Sequence, residues 1–128
     1  MGKLTDHRTV ATFDPAGFAL MEQPGLPGEK VWWRNISWDP ETGHGSYLMI
    51  MEPGTRCNPH EHLGPEEFFM VEGDLVDCDG VTYRGGDFVS LTGGSRHYSV
   101  SPGGCRIVVF HRGPLRDLER RDMPEDVL

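Results

Sequence analysis

The sequence predicts an all-β domain of the jelly-roll or small-barrel type. Short apolar runs with strand-like alternation recur along it, separated by turn signals roughly every 6 to 12 residues. Glycine and proline number 17 and 10 of 128 residues, about 21% together against an average of roughly 12%. A helical bundle does not easily absorb that many helix breakers. No helix-length segment of the kind that crosses between parallel strands interrupts the runs.

Residues 1–30 read as an arm. Leu4, Val10, Phe13, Phe18 and Leu20 are too irregularly spaced for a helix, and Pro15, Pro24, Gly25, Pro27 and Gly28 punctuate the segment. Such arms lie along a sheet edge or cross to a second subunit. The barrel is expected over residues 31–113. Strands are predicted at Val31 to Trp38, Ser46 to Glu52, Glu66 to Glu72, Leu75 to Asp77, Val81 to Tyr83, Asp87 to Leu91, His97 to Val100 and Cys105 to His111. Asp39-Pro40, Pro53-Gly54, Gly73-Asp74, Asp79-Gly80, Gly85-Gly86 and Pro102-Gly103 supply the turns between them. Residues 114–128 form a charged tail, with a short helix expected from Leu115 to Arg121.

The formal net charge is -8, and no Lys/Arg run exceeds two residues. This argues against a nucleic-acid or anionic-membrane surface. No apolar stretch is long enough to span a membrane, and the first residues have no apolar signal region. The three cysteines form no CxxC pair, and reduced thiols in the cytoplasm are the expectation. No phosphate loop follows either double glycine, and no activated serine is recognisable.

The dense chemical signal is Gly54-x5-His60-x-His62-x3-Glu66-x6-Gly73. In an extended segment, His60 and His62 point to one face and lie close together. Glu66 opens the next strand after Leu63-Gly64-Pro65 and can swing to that face, with Glu67 as its rival. Two imidazoles and a carboxylate suit Fe(II), Mn(II), Zn(II) or Ni(II). A second set, Gly86-x5-Thr92-x-Gly94-x2-His97, offers His97 as a further ligand.

On these motifs the sequence resembles the cupin superfamily, a double-stranded β-helix or jelly-roll barrel. Gly54, His60, His62, Glu66 and Gly73 match that family's first motif fully. Gly86, Gly94 and His97 match the second, in which Thr92 stands for the usual proline and Ser101 for the usual asparagine. The resemblance implies that His60, His62, Glu66 and His97 hold a divalent metal inside the barrel, with Fe(II) favoured and Zn(II), Mn(II) or Ni(II) as alternatives. The segment from Pro59 to Glu67, with Val71-Glu72-Gly73, is most similar to ChrR-type sensor cupins and to small acetylacetone-dioxygenase-like cupins. In the ChrR type the cupin lies behind an anti-sigma domain, and here a cupin without the sigma-factor-binding part is expected. A homodimer is also implied.

Other residues support a pocket less directly. Arg34, Arg56 and Tyr98 are the polar candidates to touch a substrate, since an arginine there would hold a carboxylate or enolate oxygen. Trp32, Arg34 and Ile36 share one strand face, and Trp33, Asn35 and Ser37 the other. The tryptophans read first as packing, with an aromatic substrate wall as the alternative. Tyr47, Met49 and Met51 form a face that can line the metal cavity. His7, His44 and His111 read as structural or solvated, although His111 continues the Cys105, Ile107, Val109 alternation towards the barrel mouth. Cys57 lies near the ligands.

The function expected is a non-haem Fe(II) dioxygenase that cleaves a C–C bond of a small diketone, enol or hydroxyketone. A non-redox lyase, isomerase or cyclase using Zn, Ni or Mn is one alternative. A metal- or ligand-sensing cupin without catalysis is the other.

Overall fold

A computed structural model describes residues 2–123. Its strands are β1 (Ala19–Leu20), β2 (Val31–Asn35), β3 (His44–Met51), β4 (Thr55–His62), β5 (Glu66–Asp77), β6 (Thr82–Arg84), β7 (Phe88–Leu91), β8 (Arg96–Ser101), β9 (Cys105–Arg112) and β10 (Leu115–Asp117). Among the described residues, helix is confined to three short 3-10 turns. All pairings are antiparallel. One sheet runs β1-β2-β3-β9-β5-β7 and the other β10-β4-β8-β5-β6. The chain is a curled jelly roll of the cupin type.

β5 joins the two sheets. Its first half pairs with β7 and β9, and its second half with β6 and β8. The sequence predicts two strands broken at Gly73-Asp74, but the strand runs through. A register irregularity between Met70 and Glu72 and a positive φ at Gly73 bend it instead. A side chain at Gly73 would start 2.0 Å from the carbonyl oxygen of Gly104, so glycine is required for backbone approach as well as conformation.

The core lies between the sheets. Val31, Met49, Met51, Phe68, Met70, Leu75, Cys105, Ile107 and Val109 form one buried cluster. The strand period places them there, because alternate residues of β3, β5 and β9 face inward. Each fully buried apolar side chain contributes about 1.5–3 kcal/mol.

Both chain ends are drawn onto sheet edges. Ala19 and Leu20 pair with Trp33 and Trp32. Leu115, Arg116 and Asp117 pair with His62, Glu61 and His60. The helix expected from Leu115 to Arg121 is therefore replaced by a strand and a 3-10 turn at Arg120–Asp122. The open edge of β4 offers backbone donors and acceptors that a nearby short segment satisfies as a strand, overriding its local preference. Residues 124–128 of the expected tail lie outside the described residues. Among the described residues, no helix is long and apolar enough to cross a membrane.

Candidate metal centre

β4 carries His60 and His62, and β8 carries His97 opposite His60 in the β4–β8 ladder. One ring nitrogen from each of these three histidines lies within 4.8 Å of the other two, a group able to hold a metal ion. His62 is fully buried and His97 nearly so.

Each imidazole is fixed through its outer nitrogen. His60 Nδ1 is 2.6 Å from the carbonyl oxygen of Asn58. His62 Nδ1 is 2.8 Å from Ser95 Oγ. His97 Nδ1 is 2.9 and 3.1 Å from the carboxylate oxygens of Asp77. A carbonyl and a carboxylate only accept, so Nδ1 of His60 and of His97 must be the donor. In the neutral rings each Nε2 then carries a lone pair. These two Nε2 atoms face each other at 3.1 Å, which is unfavourable unless a metal ion or a shared proton lies between them.

His62 gives the same indication. Its Nε2 is buried without a hydrogen-bond partner, yet it is only 2.5 Å from Glu66 Oε2. The two atoms approach without the alignment of a hydrogen bond, as two ligands of one ion do. Glu66 is not part of the mutual 4.8 Å group, but its carboxylate stands against it. The donor set of imidazoles beside a carboxylate, with outer nitrogens anchored, fits a first-row divalent cation.

The electrostatics keep His60 and Glu66 in metal-binding form, whereas His97 is drawn towards its protonated form, which a metal would have to displace. Burial, aided by the charge of His97, lowers His60 to about 4. Burial would raise Glu66, but the approach and charge of His62, with His111 and His60, hold its carboxyl at about 2. Burial would also lower His97 and raise Asp77. Their mutual contact prevails, so His97 is raised and Asp77 falls to about 2.

A cavity of about 80 Å³ opens beside the histidines. Met49, Phe68, Ile107 and Val109 give it apolar walls, and Tyr47, Asn58, Ser99 and Asp117 give it polar points. Tyr47 and Met49 thus line the cavity as their alternation suggests. Neither tryptophan of β2 does: Trp33 packs edge-on against Tyr47 with ring centroids 5.7 Å apart, and the Trp32 indole donates to Glu52 at 2.7 Å.

Arg34, Arg56 and Tyr98 also stand outside the lining. Arg56 is largely exposed and paired with Glu29. The Arg34 guanidinium lies against Gly17. Arg120 sits over the ring of Tyr98, 4.9 Å from its centroid. Cys57 does line the cavity, but burial pushes its thiol up to about 12, which leaves no reactive thiolate at neutral pH.

Spacing does not reveal Asp77, Ser95 or His111. His111 is buried, so of the structural and solvated readings the structural one fits. Its Nε2 is 3.0 Å from the Tyr47 hydroxyl and its Nδ1 3.6 Å from Glu66. The alternation that places Val109 in the core is the one signal that points to it.

The ChrR cupin-like domain family matches residues 18–115. The chain belongs to this family. No curated protein matches the chain. The ChrR cupin-like fold is similar to that of an acetylacetone dioxygenase from Acinetobacter johnsonii, with a TM-score of 0.77, 16% identity, and coverage of 94% of this chain and 85% of that one. It is also similar to the polyketide cyclase RemF from Streptomyces resistomycificus, with a TM-score of 0.68, 19% identity, and coverage of 93% and 89%. A chain of the Rhodobacter sphaeroides complex of SigE with the anti-sigma ChrR aligns with a TM-score of 0.54 and 18% identity, over 70% of this chain and 45% of that one.

Proposed function

We propose that this ChrR-like cupin is a metal-dependent enzyme in which His60, His62 and His97, with Glu66 as a fourth ligand, hold one divalent ion, Fe(II) in the favoured form. Its reaction would be the oxygen-dependent C–C cleavage of a small diketone, enol or hydroxyketone. The observation that carries this reading is the convergence of three imidazoles whose outer nitrogens are tied back, leaving their inner nitrogens facing one another. Bound there, Fe(II) supplies a Lewis acid for a chelating oxygen pair and electrons for dioxygen chemistry.

The chain's own residues do the rest. Asn58, Ser95 and Asp77 fix the ring orientations, and the Asp77 carboxylate makes His97 a stronger donor. Met49, Phe68, Ile107 and Val109 exclude water from the reacting face. The small cavity favours a compact substrate over a sugar nucleotide or a polymer. The fold shared with an acetylacetone dioxygenase supports the substrate class.

The test is oxygen uptake by the Fe(II)-loaded chain supplied with pentane-2,4-dione and with aromatic hydroxyketones. Uptake with matching loss of diketone is expected. An iron-loaded chain that consumes no oxygen with any of these compounds contradicts the dioxygenase. A second reading is a metal- or ligand-sensing domain, favoured by the family match itself. It predicts ligand binding without turnover.

A further inference from the structure

Apart from the imidazoles of His60 and His97, the cavity carries acidic groups and no basic one. Glu66 and Asp117 are among its lining residues, and no lysine or arginine is. Arginines on β4, β8 and β10 are engaged elsewhere: Arg56 meets Glu29 at 3.1 Å, Arg96 meets Glu61 at 3.6 Å, and Arg116 also pairs with Glu61. Asp117 is exposed while still lining the cavity, so it stands at the entrance. It is the cross-strand neighbour of His60.

The position of Asp117 is built rather than incidental. Its Oδ1 accepts from Asn58 Nδ2 at 3.1 Å. Asn58 is buried, and the same amide nitrogen donates to the Pro59 carbonyl at 3.1 Å. The Asn58 backbone N–H donates to Gln23 Oε1 at 2.9 Å, and the Gln23 amide donates to the Arg56 carbonyl at 2.9 Å. Two buried amides, one from the N-terminal arm and one from β4, therefore hold a carboxylate of the C-terminal strand over the entrance.

We propose that Asp117 is a charge filter, so that the site takes uncharged chelating substrates and rejects those that bear a carboxylate. This inference rests on the metal reading above and narrows its substrate class. The metal ion, its charge partly offset by Glu66, would draw the chelating oxygens of either kind of substrate. A carboxylate entering between apolar walls, however, would also lose water and meet Asp117 with the same sign, with no lysine or arginine to offset it. Specificity is here set by what is repelled.

The test uses the full chain loaded with Zn(II), which avoids turnover, titrated calorimetrically with pentane-2,4-dione and with 3-oxobutanoate. The two probes share a heavy-atom framework and differ by a methyl group against a carboxylate oxygen. The readout is the ratio of their affinities. Asp117→Asn is expected to shift that ratio about tenfold towards the keto acid, while Asp117→Glu keeps the original ratio. Asp117→Ser serves as a second neutral variant should the asparagine variant fold poorly. A zinc-loaded chain whose ratio is the same in the neutral variants, or that binds neither probe, overturns the filter and leaves the metal site standing. A chain that takes up no zinc overturns the metal reading and the filter together.

Discussion

Asp77 and His97 form a buried pair between the neighbouring strands β5 and β8, with His97 Nδ1 2.9 Å from one carboxylate oxygen and 3.1 Å from the other. Asp77 is itself held by the Tyr83 hydroxyl, which donates to Oδ2 at 2.7 Å, and by the Cys78 N–H at 2.9 Å. The pair determines which nitrogen of His97 faces the other histidines.

Asp77→Asn should therefore weaken metal binding without removing a ligand. An amide can present either a donor or an acceptor to Nδ1, so the ring loses its enforced tautomer and the charge that makes it basic. The expected loss is about 10- to 100-fold in zinc affinity, read by competition with a chromophoric chelator.

The metal-free protein should lose stability on acidification, beginning near pH 6.5. His60 is lowered to about 4 in the fold, so between pH 6.5 and about 4 the unfolded chain binds a proton that the folded chain does not. Unfolding is favoured as pH falls through that window. His111, lowered mainly by burial, acts in the same direction. The raised His97 contributes stability that is fully present below 6.5 and lost only as pH rises through its folded value, so it does not cancel this slope. Glu66, at about 2, extends the loss as pH falls below its ordinary range towards 2. Denaturant midpoints across pH 4 to 8 check this.

Met70→Ala tests the core apart from the metal site. Met70 is completely buried and does not line the cavity. A loss of about 2–5 kcal/mol in unfolding free energy is expected, with zinc affinity of the folded protein unchanged.

Gly73→Ala should be costly for a different reason. The residue has a φ of 87°, and the added methyl would meet the Gly104 carbonyl oxygen at 2.0 Å. The bend that carries β5 from one sheet to the other would have to open. Thermal unfolding should show a lower midpoint than for Gly54→Ala, where the φ is also positive but no atom lies within 4 Å of the added carbon.

The site was legible wherever its chemistry sits at short spacing. His60, His62 and Glu66 are separated by two and four residues, so strand periodicity and one turn suffice to gather them. Asp77 was not legible, because its role depends on register. It lies opposite Ser99, which shares a face of β8 with His97, and nothing local announces that diagonal. Ser95 sits in a loop whose path only the fold defines. Arg34 and Arg56 are cations near the motif in sequence, yet Arg56 pairs with Glu29 at the surface and Arg34 lies against Gly17. β10 is not legible because Leu115, Arg116 and Asp117 have no strand pattern of their own. They become a strand only when the edge of β4 is beside them.

The most direct test of the central claim is metal content per chain by plasma mass spectrometry, on protein purified anaerobically without chelator or nickel affinity resin. The account predicts about one divalent ion per chain in the wild type. It predicts near-complete loss in His62→Ala, with the β-sheet signal retained in far-ultraviolet circular dichroism. A folded wild-type chain that holds no divalent ion, even after incubation with Fe(II) and Zn(II), would contradict it. So would a His62→Ala chain that keeps a full complement.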